Sequence, residues 1–184
     1  LTFVRTQNHR SAQIEGYCSH TSVRPGGELD VFVSADPATA VTIDVYRIGY
    51  YGGKGGRHVG RFGPFDVRPQ PTPPVGEHRL RECRWATSAE LTIPPDWTSG
   101  VYLGRLTTLT EQDGSGYWQS YVVFIVRDDR PADVLFQVSD NTWQAYNRWP
   151  DDYSLYTDPR AAHAPGVAVS FDRPYAKYPQ IFDV

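Results

Sequence analysis

The side chains best suited to chemistry follow a short apolar run near the end of the chain. Residues 133–138 (DVLFQV) are typical of a strand buried on both faces. The next four residues (SDNT) favour caps and tight turns, and Trp143, Tyr146 and Asn147 then add polar tips on large or hydrogen-bonding side chains. Open α/β sheets place ligand groups in loops at the carboxyl ends of such strands. We therefore predict a binding loop here, with Trp143 and Asn147 as substrate contacts.

The composition excludes several classes of protein. The 184 residues suit one ordinary domain, or one domain and part of another. Hydrophobic content of 40% and charged content of 21% are those of a soluble globular protein, and no apolar run approaches the roughly 20 residues of a membrane span. A net charge of -3 with scattered Lys and Arg predicts no nucleic-acid partner. No signal peptide is visible, which leaves the compartment open.

The two cysteines, Cys18 and Cys83, permit one disulfide across a long loop. Such a bridge contributes about 4 kcal/mol in the chain-entropy model. Two buried free thiols are the alternative. Aromatic, strand-like sequence beside each cysteine favours the bridge slightly, and both alternatives stay open.

Most of the chain has the pattern of an all-β domain. About six or seven short alternating segments with turn signals between them predict a two-sheet, immunoglobulin-like β-sandwich over residues 14–130. Trp85 and Trp97 are expected in its core or corners, and the proline-rich residues 67–77 in a surface loop. The predicted strands lie at residues 14–18, 22–28, 29–34, 41–48, 89–94, 100–106 and 120–126, with the second and third forming a hairpin-like pair.

The glycine-rich residues 49–57 and the two cysteines are further candidates for a functional role. Residues 49–57 carry five glycines in nine residues, but a phosphate-binding loop needs a helix behind it and no helical period follows. The exposed tyrosines there suit contact with a glycan or a protein instead. A cysteine nucleophile is discounted because neither cysteine has a histidine in a recognisable arrangement.

A charged, proline-containing break at residues 127–131 predicts a domain boundary. Before the sandwich, residues 1–13 form an irregular lead-in. After the boundary, residues 131–184 are too few for a complete α/β domain, so we expect its truncated beginning. Because an unpaired strand edge is a hazard, residues 134–138 should pair with the sandwich or with a neighbouring chain. A sequence without Met that begins at Leu1 is expected to be processed or trimmed.

Five motifs in combination resemble the large (β) subunit of N,N-dimethylformamidase and its relatives, in the amino-terminal part of such a chain. The resemblance covers nearly the whole sequence from Ile14. It implies a sandwich packed on an amidotransferase-like α/β domain that holds one iron through two tyrosines and a glutamate, and hydrolysis of a small N-alkylated formamide to formate and an amine. The motifs are IEGY at 14–17, YRIGYYGG at 46–53, TSGVYL at 98–103, SDNTWQAYN at 139–147 and VSFDRPY at 169–175.

The resemblance also suggests metal ligands. A ferric ion favours anionic oxygen, and as a Lewis acid it polarises an amide carbonyl and lowers the pKa of bound water. Tyr146 stands where the family pattern places one tyrosine ligand, and Tyr175 is the candidate for the other. Tyr146 could instead be a core residue bonded to Asn147 or backbone, and Tyr175 a packing residue with the true second ligand beyond Val184.

The sequence departs from the family at one motif. The His-Asp-Glu segment that supplies the glutamate is absent, the carboxylates after Pro131 are all Asp, and the only histidine there, His163, reads as a solvated residue. We therefore expect no iron bound by this chain alone and no hydrolysis without the rest of the catalytic domain or a second subunit. The alternative function is a non-catalytic immunoglobulin-like module for binding or homo-oligomerisation.

Overall fold

A computed structural model describes residues 13–109, 117–150, 153–156 and 166–176. Almost all of the predicted lead-in and His163 lie outside these ranges. Within them the chain forms eight β-strands, two short 3-10 turns and one α-helix, α1 (Asp140–Tyr146). The strands are β1 (Ile14–Cys18), β2 (Ser22–Val23), β3 (Glu28–Ala35), β4 (Thr39–Ile48), β5 (Gly56–Val67), β6 (Ala89–Thr92), β7 (Gly100–Thr108) and β8 (Gln119–Val126).

The strands form two sheets around one core. The three-stranded sheet has the order β1-β3-β6, and the five-stranded sheet has the order β2-β8-β7-β4-β5, with only β2 and β8 parallel. Strict alternation along β3 and β8 sends every second side chain into the space between the sheets. The mostly-β, two-sheet prediction is confirmed. The largest fully buried aliphatic side chains of this core are Ile14, Leu29, Ile43, Leu91, Ile93 and Leu106.

Two details of strand pairing differ from the sequence prediction. The predicted hairpin around residues 25–27 is wrong, because β2 pairs with β8 while β3 pairs with β1 and β6. The turn is real, with Gly26 at φ 78°, but it carries the chain from one sheet to the other. Strand β5 was not predicted, because Gly60, Gly63 and Pro64 interrupt its pattern. It is an edge strand with two register shifts against β4, where such residues are tolerated.

The apolar run at residues 134–138 forms no strand and does not pair with the sandwich, so that part of the prediction is wrong. Pairing with a neighbouring chain stays a prediction. Val134, Leu135 and Phe136 are 80%, 93% and 77% exposed. Helix α1 follows in place of the predicted loop, since residues 139–142 initiate a helix as readily as a turn. In the part of the chain that the structure describes, no helix is long and apolar enough to cross a membrane.

Cys18 and Cys83 are both free thiols, so the disulfide that the sequence favoured slightly is not formed. The reason is the alternation of β1. Cys18 packs against the core between the sheets, whereas Cys83 belongs to a cluster with Tyr17 on the other face of the three-stranded sheet. Burial raises the pKa of each thiol to about 12, so both are protonated at neutral pH.

Asp44 is a buried charge on the outer face of the five-stranded sheet. Arg61 holds both carboxylate oxygens, with Nε at 2.7 Å from Oδ1 and Nη2 at 3.0 Å from Oδ2. His58 Nε2 lies 3.0 Å from Oδ1 and Arg105 Nη2 lies 3.3 Å from Oδ2. The hydrogen bonds from Arg61 are the main reason that the Asp44 pKa falls from 3.8 to about 2. The ionised carboxylate therefore links β4 to β5 and β7.

Replacing Asp44 with Asn is expected to lower the free energy of unfolding by about 2 kcal/mol at neutral pH, since the depressed pKa corresponds to that much stabilisation. The contribution is present above about pH 4 and is lost as the pH falls to about 2. Urea unfolding at several pH values measures it. Asp129→Asn, which removes an exposed ion pair with Arg24, is the control and should change stability little. Equal losses in both variants would contradict this account.

The cysteines give a second prediction. Without reductant, the denatured chain should react as two thiols with a thiol reagent, while the folded chain reacts slowly because both side chains are buried or partly buried. Intact mass measurement is the cross-check. A mass lower by two hydrogen atoms would show a bridge and contradict the opposite orientation of the two side chains.

Candidate functional site

Helix α1 has a buried side and an exposed side, and the predicted site residues Trp143 and Tyr146 are not on the buried side. Gln144 and Ala145 are buried, whereas Tyr146 at the end of the helix is 50% exposed and Trp143 is half-buried. The backbone N–H of Asn147 donates to Gln144 O at 3.2 Å and ends the helix. The helix therefore fixes the direction of Gln144 inward and of Tyr146 outward.

Asn147 is buried and its side-chain amide makes four hydrogen bonds. Nδ2 donates to Gln144 Oε1 at 3.0 Å and to Pro174 O at 2.9 Å. Oδ1 accepts from the backbone N–H groups of Trp149 at 3.0 Å and Ala176 at 2.8 Å. These bonds fill the capacity of the amide and tie the end of α1 to residues 174–176. The geometry thus gives Asn147 a structural role, and its predicted contact with substrate stays a prediction.

Arg173 extends this network and is only 4% exposed. Nε donates to Gln144 Oε1 and to Ser170 O, each at 3.2 Å, and Nη2 donates to Gln144 O at 2.8 Å. Burial lowers the Arg173 pKa to about 10, so the guanidinium still carries its charge at neutral pH. Its positive charge lies against carbonyl oxygens at the carboxyl end of α1, where a cation is favoured.

Trp149 joins this network to the sandwich. Its ring is 2% exposed and packs edge-on against Trp85 with centroids 6.1 Å apart, and Nε1 donates to Glu15 Oε2 at 3.0 Å. Nearby, the N–H of Cys83 donates to Asp172 O at 2.7 Å. The segment after α1 therefore covers the outer face of the three-stranded sheet. The buried members of this aromatic cluster are Tyr17, Cys83, Trp85, Trp149 and Ala176, with Phe32 packed against them.

A small cleft of about 40 Å³ lies between the end of β1, strand β8 and residues 171–175. Half-buried Tyr175 lines it, but Tyr146 does not. Of the two predicted iron ligands, this cleft therefore includes Tyr175 alone. The cleft is lined by Gly16, Tyr17, Cys18, Ser19, His20, Thr21, Val122, Val123, Gln144, Phe171, Arg173 and Tyr175.

The aromatic neighbour of Tyr146 is Tyr156, with ring centroids 5.1 Å apart. Both rings are about half exposed, at 50% and 57%. This pair of phenols was not predicted, because residues 153–156 have no pattern that relates them to α1. The pair bears on metal binding, since phenolate oxygen is a donor that a ferric ion favours.

Clusters of His, Cys, Asp and Glu side chains are the groups that most often bind metals in proteins. No group of three or more of these side chains in the described ranges is placed to hold a metal ion. The Tyr146 and Tyr156 phenols supply two oxygen donors of the kind that a ferric ion favours. Two phenols and one carboxylate are a different donor set, so the iron site that the resemblance implies stays a prediction.

The sequence pattern did not predict the polar network of Gln144, Asn147 and Arg173. Gln144 and Asn147 are three residues apart, which places them on one face of a helix, but that signal requires α1 to be predicted first. Arg173 enters the sequence analysis only as part of the motif at residues 169–175. A charged residue between Asp172 and Pro174 reads as exposed, and only the fold shows that it is buried.

Comparison with known proteins gives one family match. A family model described as N,N-dimethylformamidase beta subunit-like, C-terminal, matches residues 42–183, which is more than half of the chain. The match confirms the family resemblance of the sequence motifs. The description places the matched region in the C-terminal part of such proteins, whereas the motifs led us to expect the amino-terminal part. A search of the curated proteins finds no match.

Asn147→Ala is expected to lower the free energy of unfolding by roughly 2 to 4 kcal/mol, because it leaves the buried N–H groups of Trp149 and Ala176 without an acceptor. Chemical denaturation at neutral pH measures the loss. Asn141→Ala, at an exposed position of the same helix, is the matched control and should change stability by no more than about 0.5 kcal/mol. Similar effects at the two positions would contradict the structural role of Asn147.

Proposed function

Because the chain belongs to the N,N-dimethylformamidase beta subunit-like family, we propose that it is part of an amidohydrolase that cleaves a small N-substituted amide with the help of a bound iron. The observation that carries this proposal is the family match over residues 42–183, which includes α1 and the segment around Arg173. The proposed products are a carboxylic acid and an amine. A ferric ion would supply a Lewis acid for the amide carbonyl.

In this proposal the Tyr146 phenol is one iron ligand. Its position supports the role, since a half-exposed side chain at the end of a helix can reach a metal that lies outside the sandwich. Tyr156, in contact with Tyr146, is the second phenol that the geometry favours, and Tyr175 in the separate cleft is the one that the motif favours. The carboxylate ligand would come from outside the described residues.

The chain's own contribution would be to position these groups. Gln144, Asn147 and Arg173 lock the carboxyl end of α1 against residues 170–176. A rigid support of this kind is what a metal ligand needs, because small displacements of a ligand weaken both binding and catalysis. These three side chains are therefore positioning residues in the proposal.

The proposed iron site would be completed by residues of the remaining catalytic domain or of a second subunit. The exposed apolar side chains of Val134, Leu135 and Phe136 suit the first strand of an amidotransferase-like α/β domain whose other strands cover it. The remainder of the catalytic domain or a second subunit would supply that cover. We propose that the chain alone hydrolyses no amide and binds no iron tightly.

The same exposed run supports a second candidate function, a non-catalytic module for binding or oligomerisation. Three adjacent apolar side chains that are each more than three quarters exposed are unusual on a surface without a partner. In this alternative the run contacts another protein, and the polar network serves folding alone. A partner bound without any amidase activity in the longest native polypeptide would favour this alternative.

The amidase proposal is tested with the longest native polypeptide that contains this chain. Iron loading should produce a visible tyrosinate-to-iron absorption band, and the protein should release an amine from N,N-dimethylformamide. Tyr146→Phe is expected to abolish or shift the band and to lower activity by at least about a hundredfold, because it removes a direct ligand.

Tyr50→Phe is the matched control, since Tyr50 is 83% exposed on the turn after β4. It should leave both the band and the activity unchanged. An iron-loaded protein that retains its band and its activity after Tyr146→Phe would refute the ligand assignment. No release of amine from any small amide would refute the proposed function itself.

A further inference from the structure

The open edge of β1 presents backbone donors to the cleft described above. Strand β1 pairs with β3 on one side and forms the edge of the three-stranded sheet. The N–H of Ser19 donates to Asp30 O at 2.9 Å, and hydrogen-bonded pairs alternate along an antiparallel ladder. The N–H groups of Gly16 and Cys18 therefore point away from β3. Both residues line the cleft, and neither N–H has a hydrogen-bond partner among the described residues.

A buried cation also lines the cleft. Arg173 is 4% exposed and lines the cleft. Of its five N–H donors, those on Nε and Nη2 reach Gln144 and Ser170, while Nη1 has no hydrogen-bond partner in the part of the chain that the structure describes. The cleft thus combines a guanidinium donor with two backbone donors.

No described carboxylate balances the Arg173 charge. The ionisable side chains that act on its pKa are those of Tyr175, Tyr153 and Cys83. Burial raises the pKa of the Cys83 thiol to about 12, so this group is neutral and cannot serve as a counterion. Arg173 donates to the carbonyl oxygens of Gln144 and Ser170 and to the amide oxygen of Gln144, all of them uncharged. A largely buried cation without a counterion is costly, and an anion from solution would reduce that cost.

We propose that this cleft binds a small carboxylate anion, with Arg173 and the edge N–H groups of Gly16 and Cys18 as its donors. A volume of about 40 Å³ admits only a few atoms, which selects an anion of the size of formate or acetate. Val122, Val123 and Phe171 also line the cleft, and these apolar residues suit the hydrocarbon end of an ion such as acetate. His20, whose Nδ1 lies 2.9 Å from Ser19 Oγ, stands at the rim as a further polar group.

This inference does not depend on the amidase proposal. It requires neither iron nor the Tyr146 phenol, and it applies to the chain as it stands. Loss of amidase activity would leave it intact, and failure of anion binding would leave the metal assignment intact. The two proposals therefore fail separately.

The test is a titration of the isotopically labelled chain with sodium formate, followed by two-dimensional amide NMR, against sodium chloride at equal ionic strength. The amides of Gly16 and Cys18 are expected to shift in a saturable way with formate and not with chloride. A ligand of three non-hydrogen atoms sets a dissociation constant of about 1 mM or weaker. Absence of saturable shifts at both amides would overturn the proposal.

Two variants test whether Arg173 is a donor to the anion, and a second anion tests the preference for a carboxylate. Arg173→Gln should weaken formate binding about tenfold or more, because it removes a charged donor. Arg24→Gln, at an exposed arginine paired with Asp129, is the control and should bind as the native chain does. If Arg173→Gln fails to fold, the native titration alone decides. Inorganic phosphate that binds more tightly than formate would overturn the assignment to a small carboxylate.

Discussion

The three-stranded sheet must be covered on both faces, and most of the structure follows from that constraint. Alternate residues of β1 and β3 face the core between the sheets, while Tyr17 and Phe32 stack on the outer face with centroids 4.8 Å apart. Trp85 and Trp149 complete the outer layer. Burial of each large aromatic ring contributes a few kcal/mol, so the sheet is far more stable with this layer than without it. The outer layer thereby determines where the chain beyond β8 lies.

Trp149 is the link between this packing and the polar chemistry. Its ring lies on the sheet, and its backbone N–H donates to Asn147, which in turn bonds Gln144 and Pro174. Arg173 is buried because the segment around it is bonded on both sides, to Cys83 through Asp172 and to Asn147 through Pro174 and Ala176. The cleft, the inward direction of Gln144 and the outward direction of Tyr146 are consequences of one packed layer. The candidate site is thus built on the outside of the sandwich, and its geometry depends on aromatic packing more than on helix propensity.

The sequence predicted the sandwich well because its strands carry a period-2 pattern that reflects burial directly, as in β3 and β8. The prediction of secondary structure from the sequence failed where the local pattern and the tertiary contacts favour different structures. Strand β5 is hidden by glycine and proline that an edge position tolerates, and residues 134–138 have the composition of a buried strand without a partner in the described chain. The sequence singled out Tyr146 and Asn147 as candidate site residues. It could not show that Arg173 is buried, because this burial depends on contacts between distant segments. No local pattern encodes such contacts.

Native-state hydrogen exchange at the backbone amides of Trp149 and Ala176 tests the central claim most directly, because both donate to Asn147 Oδ1 only while the outer layer is packed. The account predicts protection close to that of Val33 in β3, whose amide donates to Ser88 Oγ at 2.9 Å. Exchange as fast as that of the exposed residues 131–137 would contradict it. The segment after α1 would then be attached to the sandwich by the chain alone, and neither the cleft nor the position of Tyr146 would be fixed.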